Sequence, residues 1–282
     1  MSGQGRKTGK LTLVATPIGN LGDISPRALE TLENADLIAA EDTRHSGTLL
    51  SHFGIKKPMV SYHKYNEKNR ESTLLEALQA GKDVALICDA GTPCVSDPGW
   101  IVVDEAAKNN YEIDSIPGPC AAIQALVLSG LPTDRFVFEG FLPRGNKLPP
   151  YLEELKNEPR TLIFYESPHR VKGTLEELRK AMGDDRKVAV CRELTKYYQE
   201  INRGTLREIC DLWQDREIQG EFVLVLAGQA ETEENEIDLK QVQEHLKRLM
   251  DGGMKHKAAA KEVAKTYDLP VNQVYEMGLE LK

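Results

Sequence analysis

The sequence predicts an α/β protein of two α/β domains, and three of its turns carry the prediction. An apolar, strand-like run ends at a glycine- and proline-rich turn, and a helix-like stretch follows, in LTLVATPIGNLGDIS (residues 11–25), VALICDAGTPCVSDPG (84–99) and IDSIPGPCAAI (113–123). In an open α/β sheet, turns at the carboxyl ends of strands line the ligand crevice. Glycine lets the backbone approach a ligand, and proline stiffens the turn. Any one of these segments suits an ordinary strand–helix turn. Three in one chain point to a cofactor site built largely from main chain.

The elements follow in order. Apolar runs at 11–15, 37–40, 84–88 and 113–116 read as strands, and amphipathic stretches at 25–34, 66–80 and 97–109 read as helices between them. Ser25-Pro26 has the form of an N-cap followed by proline at the first helical position. Gly81 is a normal helix stop. This alternation predicts a largely parallel sheet with helices on both faces, in a domain spanning 11–130. The segment 131–150, LPTDRFVFEGFLPRGNKLPP, is rich in proline and glycine and reads as an interdomain linker.

A second α/β unit over 151–230 has strands at 161–165, 187–191, 199–204 and 222–226, with helices at 168–182 and 205–215. The tight spacing between Arg192 and Gly204 allows antiparallel pairing, so this sheet is expected to be mixed. The acidic stretch ETEENEID (231–238) reads as a solvated linker. A helical tail occupies 239–282, with helices at 239–250, 257–267 and 271–281 and a tight turn at 268–270. That outline fits a helix-turn-helix and fits a packing hairpin equally well.

Composition narrows the function. Over 282 residues the net charge is −8, which argues against a broad polyanion-binding surface but leaves room for a local basic groove. No apolar run approaches the ~20 residues that span a bilayer, and the basic N-terminus lacks a signal-peptide core, so a cytoplasmic protein is expected. The five cysteines include no CxxC pair, and the six histidines form no compact ligand set. Structural thiols and no metal are the expectation. Neither G-x-G-x-x-G nor the P-loop pattern occurs. Leu148-Pro149-Pro150-Tyr151 has the shape of an amino-methyltransferase motif, but its leucine cannot accept a hydrogen bond from an amine.

Two polar clusters follow apolar runs directly: EDTRHS (41–46) and YESPHR (165–170). Helix starts favour acids, which would explain the acids alone. The arginines and histidines suit a charged ligand better. RELTK (192–196) is a weaker third set.

TPIGNLGDIS, EDTRHS, DAGTPCVSDPG, PGPCAA, GFLPR, YESPHR and RELTK, in this order, resemble the bacterial ribosomal RNA small subunit methyltransferase I family, within the tetrapyrrole (corrin/porphyrin) methylase superfamily. The resemblance covers roughly residues 11–228. It implies two domains of the tetrapyrrole-methylase type with the cofactor cleft between them. It implies S-adenosylmethionine-dependent methylation of a cytidine 2′-hydroxyl in 16S ribosomal RNA near the decoding centre, on rRNA or the small ribosomal subunit, by a homodimer. The family's cofactor turns fall on Pro17, Gly19, Asp89, Ala90, Gly91, Thr92, Ser96, Asp97, Pro119, Cys120 and Ala121, with Tyr165 and Leu194 where the second domain closes.

A ribose hydroxyl needs a base, or a cation that stabilises the alkoxide. Arg44, Glu166, His169, Arg170, Glu193 and Lys196 are the candidates, with Glu166 or His169 as proton acceptor and Arg44 and Arg170 as phosphate or alkoxide partners. A tetrapyrrole methylase using the same cleft, and a regulator acting through the tail, are the competing readings. The basic residues Arg186, Lys187, Arg192, Lys196, Arg203 and Arg207 fall in one stretch and give modest support for RNA.

Overall fold

The computed structural model describes residues 8–229, 239–267 and 269–279. The chain divides into two compact units, and the division falls after Gln229. The expected acidic linker, Asp268 of the tail turn and the last residues of the third tail helix lie outside the described residues.

The first unit holds two five-stranded sheets. In the first, β1 (Lys10–Val14), β2 (Leu37–Ala40), β3 (Met59–Ser61), β4 (Val84–Ile87) and β5 (Glu112–Ile116) run parallel in the order β3-β2-β4-β1-β5. All four residues of β4 are buried, as both faces of a covered parallel sheet require. Helices α1 (Pro26–Asn34) and α2 (Thr43–His52) bury Leu32 and Leu50 against one face. Helices α3 (Glu67–Gln79) and α4 (Trp100–Lys108) bury Leu74, Leu78 and Val102 against the other. The Ser25 hydroxyl caps α1 by accepting from the Ala28 amide at 3.1 Å, with Pro26 at the first helical position.

Helix α4 begins at Trp100, three residues after the expected start at Asp97, because Cys94, Ser96 and Gly99 all have positive φ and extend the turn. Helix α5 (Ala121–Ser129) follows β5 and ends at Gly130, whose φ of 75° gives a left-handed cap. Its buried residues Ala122, Ala125 and Leu126 pack with Ile163, Ala189 and Val225 of the second sheet. This helix joins the two layers.

The second sheet has the order β6-β7-β10-β8-β9, from β6 (Phe136–Phe141), β7 (Thr161–Glu166), β8 (Lys187–Arg192), β9 (Glu200–Thr205) and β10 (Phe222–Leu226). Only β6 and β7 pair in parallel, so the sheet is mixed, as the spacing after Arg192 predicts. Central β10 is buried at all five positions. Helices α6 (Leu148–Leu155), α7 (Val171–Met182) and α8 (Leu206–Trp213) cover its other face, burying Leu152, Leu175, Leu178 and Trp213. Thr205 and Glu208 form a reciprocal capping box at the start of α8.

The span 131–150 is not simply a linker: it contains β6 and the start of α6. The reason is local. The register of β6 on β7 shifts between Phe138 and Gly140, and Gly140 has φ of 63°. A bulge breaks the alternation that would mark a strand, and glycine in the run reads as loop.

In the second unit, α9 (Leu239–Asp251), α10 (His256–Thr266) and α11 (Val271–Leu279) enclose Val242, Leu246, Ala260, Val263 and Val274. No helix among the described residues is long and apolar enough to cross a membrane.

Candidate active site

A cleft of ≈ 430 Å³ opens at the carboxyl ends of the first sheet's strands, where an open α/β sheet binds ligands. Four strands of that sheet feed it. The turn after β1 supplies Ile18, the end of β2 supplies Glu41, the turn after β4 supplies Asp89 to Thr92 with Val95 to Asp97, and the turn after β5 supplies Cys120 and Ala121. The second sheet closes it with Phe141, Tyr165, Leu194 and Phe222 among others.

These turns brace one another through main chain. Thr16 and Gly91 exchange both backbone hydrogen bonds, at 2.9 and 3.1 Å. The Thr92 hydroxyl donates to the Pro119 carbonyl at 2.9 Å, and the Asp42 amide donates to Asp89 Oδ1 at 3.1 Å. Gly91 has φ of 88°, and a Cβ there would meet Ile18 Cγ2 at 3.3 Å. A side chain would be strained and crowded at the same point. Cys94 and Ser96 sit at φ of 69° and 67° in the same loop, a conformation that non-glycine residues adopt only where the surroundings impose it.

Of the residues singled out in the sequence, Asp89, Ala90, Gly91, Thr92, Ser96, Asp97, Cys120, Ala121, Tyr165, Leu194 and Glu166 line the cleft together. Pro17, Gly19 and Pro119 lie in its turns without lining it. Gly19 packs against Lys196 and Thr195, and Pro119 offers its carbonyl to Thr92. Tyr165 is set by contacts on two sides. Its oxygen accepts from the Ala122 amide, and its ring meets Phe138 and Phe141 edge-on at 5.0 and 5.7 Å. Burial raises its phenol's pKa, and the nearby Cys120 thiol adds to the effect.

Of the four residues given catalytic roles, Glu166 and Arg170 meet, while Arg44 and His169 are exposed. Arg44 is 90% exposed at the start of α2 and pairs with Asp42 at 2.8 Å. Glu166 is closed off: its carboxylate accepts from the Ser167 amide at 2.7 Å and the Thr174 hydroxyl at 2.6 Å, and Arg170 lies at 3.4 Å. Arg170 also donates to the carbonyls of Leu142 and Pro143, tying YESPHR to GFLPR. His169 is exposed, one residue beyond the cleft wall at Pro168.

Phe141 and Phe222 line the cleft without a site assignment in the sequence, and Glu41 enters it from EDTRHS. Glu41 and Asp97 face the cleft, and the pKa of each carboxyl is raised. Burial is the main cause for both; Asp97 and Asp89 add to it for Glu41, and Asp89 adds for Asp97. Phe141 reaches the cleft because the bulge at Gly140 lets the strand pass Ser96, whose Oγ lies 3.0 Å from where a Cβ would be. Leu194 enters because Glu193 and Thr195 both take positive φ, at 51° and 65°.

Among the described residues, no group of three or more His, Cys, Asp or Glu side chains is placed to hold a metal. The cleft instead combines backbone-rich turns, an apolar wall and partly buried acids. That set suits an organic ligand carrying both an apolar part and a positive charge.

Comparison with known proteins agrees on the class. Residues 10–210 match the family described as Tetrapyrrole (Corrin/Porphyrin) Methylases, and residues 236–282 match the RsmI C-terminal HTH domain. The second match favours the helix-turn-helix reading of the tail. The fold is shared with a uroporphyrin-III C-methyltransferase from Thermus thermophilus, solved with S-adenosylhomocysteine, at a TM-score of 0.55 and 19% identity over 78% of this chain and 97% of that one. Fold and cleft thus define a methylase of the tetrapyrrole type.

The sequence narrows it further. The ribosomal RNA small subunit methyltransferase I of Synechocystis is 47% identical over 97% of this chain and 99% of its own length. That of Thermotoga maritima is 46% identical over 220 residues, 78% of this chain and 99% of the relative. The chain belongs to the ribosomal RNA small subunit methyltransferase I family.

Proposed function

We propose that this protein methylates the 2′-hydroxyl of a cytidine ribose in 16S ribosomal RNA near the decoding centre, with S-adenosylmethionine as donor. The observation that carries the reading is the cleft itself. Three mutually braced turns present backbone at its floor, and Glu41 and Asp97 place partly buried carboxylates beside it. When bound, S-adenosylmethionine supplies a methyl group activated by the positive charge on its sulfur. Glu41, Asp89 and Asp97 complement that charge, Gly91 leaves room at the turn, and Phe141, Leu194 and Phe222 exclude water from the apolar part.

The reacting hydroxyl must lose a proton as the new O–CH₃ bond forms. Glu166 has its oxygens engaged by Ser167, Thr174 and Arg170, so its role is to position the YESPHR turn. His169 is exposed beside the wall and is the proton acceptor in this reading. Arg44, exposed at the rim, meets RNA phosphate, and Arg170 holds the GFLPR loop in place. A tetrapyrrole acceptor would use the same floor. The rRNA names of the relatives, at 47% and 46% identity, favour RNA over it.

The same reading includes a homodimer and a cytoplasmic site of action. Helix α5 exposes Ile123 and Val127 one turn apart, an apolar strip that a second copy could cover. The deciding experiment maps ribose methylation in 16S rRNA from cells with and without this protein. Loss of one cytidine 2′-O-methyl group, restored by the purified protein and S-adenosylmethionine, supports the reading. An unchanged methylation map overturns it.

A further inference from the structure

Five of the six basic residues in the stretch 186–207 are already engaged within the protein. Arg186 donates to the carbonyls of Ala227 and Lys156, and Arg203 to those of Leu128 and Ser129. Arg207 pairs with Asp184, Arg192 with Glu200, and Lys196 with Glu193 and Glu221. A phosphate would have to compete with each of these partners.

A different segment has the opposite character. From Thr43 to Asn66 there is no aspartate or glutamate, in a chain that carries 44 of them. The same stretch holds Arg44, Lys56, Lys57 and Lys64, and three of the six histidines. It forms one edge of the first sheet. Helix α2 runs along that side, Lys56 and Lys57 lie in the loop beyond its end, and β3 is the edge strand. Lys64 and Tyr65 follow β3 at the carboxyl end of the sheet, the end that carries the cleft.

The lysines at 56, 57 and 64 make no ion pair among the described residues. Tyr65 is 93% exposed, its ring set edge-on to His63 at 6.1 Å. Ten residues of α2 separate the two ends of the strip by about 15 Å. That length spans several phosphates at about 3.4 Å of axial rise each.

We propose that this edge, with Lys56, Lys57, Lys64 and Tyr65, is the docking surface that holds RNA against the cleft. The lysines neutralise phosphates, and Tyr65 stacks on an unpaired base. The acid-free charge along this edge, reaching the cleft end of the sheet at Lys64, supplies locally the complementarity that the net charge of −8 denies the rest of the surface. This inference rests on the RNA reading above and adds where the RNA lies.

The test uses the full-length protein, a labelled 16S rRNA fragment for binding, and small ribosomal subunits for methyl transfer. Replacing the three lysines together (K56E, K57E, K64E) should leave S-adenosylmethionine affinity unchanged. RNA affinity should fall more than tenfold. The slope of log affinity against log salt should become shallower by about 2, at about 0.7 per lost phosphate contact on a single strand. Tyr65→Ala should weaken RNA binding without changing that slope. Unchanged RNA affinity and slope in the triple variant would overturn the proposal, as would a shift of that variant from dimer to monomer in sedimentation, which would assign the edge to a second copy. If the unaltered protein binds RNA through these lysines but transfers no methyl group, the docking surface stands and the proposed reaction fails.

Discussion

The phenol oxygen of Tyr165, in β7, accepts the backbone hydrogen of Ala122, at the start of α5, across 3.2 Å. A residue of the second sheet thereby fixes the turn after β5, one of those that line the cleft. Tyr165→Phe removes only that acceptor and leaves the Ala122 amide unpaired. The expected loss of stability is about 1–3 kcal/mol, with weaker S-adenosylmethionine binding and an unchanged fold. Denaturant melts and calorimetry check both, and full cofactor affinity in the variant would show that the two sheets close independently of this bond.

Gly91→Val is expected to abolish cofactor binding in a folded protein. The left-handed backbone costs a side chain about 1–2 kcal/mol, and the added carbons crowd Ile18 and the Pro119 carbonyl. Circular dichroism reports the fold and calorimetry the binding. Normal affinity would remove this turn from the site.

His169→Gln should keep cofactor affinity and slow methyl transfer by about 10²–10⁴-fold, the range for loss of a general base. Glu166→Ala should behave differently. It leaves Arg170 and Thr174 without their buried partner, and breaking such a pair costs about 3–5 kcal/mol. A stable, slow Glu166→Ala beside a fully active His169→Gln would exchange the two roles.

The cleft acids make binding depend on pH in a defined sense. Burial raises the folded-state pKa of both Glu41 and Asp97, so the folded protein holds these protons more tightly than the unfolded chain. Their contribution to stability therefore falls as pH rises from the ordinary carboxylate pKa through the raised value. A bound cation favours the charged forms and lowers both pKa values. Affinity for S-adenosylmethionine should rise with pH across that window, and binding should release protons within it. Calorimetry in two buffers of unlike ionisation enthalpy counts them. Proton uptake on binding would contradict the assignment.

Ending the chain at Gln229 should leave the fold and cofactor affinity intact, because the compact unit containing the cleft closes there. The Thermotoga maritima relative, spanned to 99% by a 220-residue match, has no room for a tail of this length. A truncated protein that no longer binds the cofactor would refute the independence of the first unit.

What the sequence reveals of this site depends on residue type. The DAGTP and PGP turns are legible because glycine and proline are the residues that such backbone needs. Leu194 is not legible on the same grounds. Its turn depends on positive φ at Glu193 and Thr195, a conformation their side chains do not announce. Strand β6 is hidden by the bulge at Gly140, the same feature that brings Phe141 to the cleft. The role of Glu41 follows from β2 lying next to β4, which sets the Asp42 amide on Asp89. Neighbourhood across 47 positions is a property of strand order, and no local pattern encodes it.

Strand order also sets a timetable. Strand β1 is made first, yet its two neighbours are β4 and β5, which end at Ile87 and Ile116. A ribosome adding about 5–20 residues per second needs several seconds, up to roughly 20, to reach the second of them. Until β4 is complete Leu11, Leu13 and Val14 have no sheet to enter, and one edge of β1 stays open until β5 follows. The innermost apolar strand of this sheet but one is therefore the earliest synthesised and among the last to be enclosed, and the nascent chain spends that time with an adhesive edge in water.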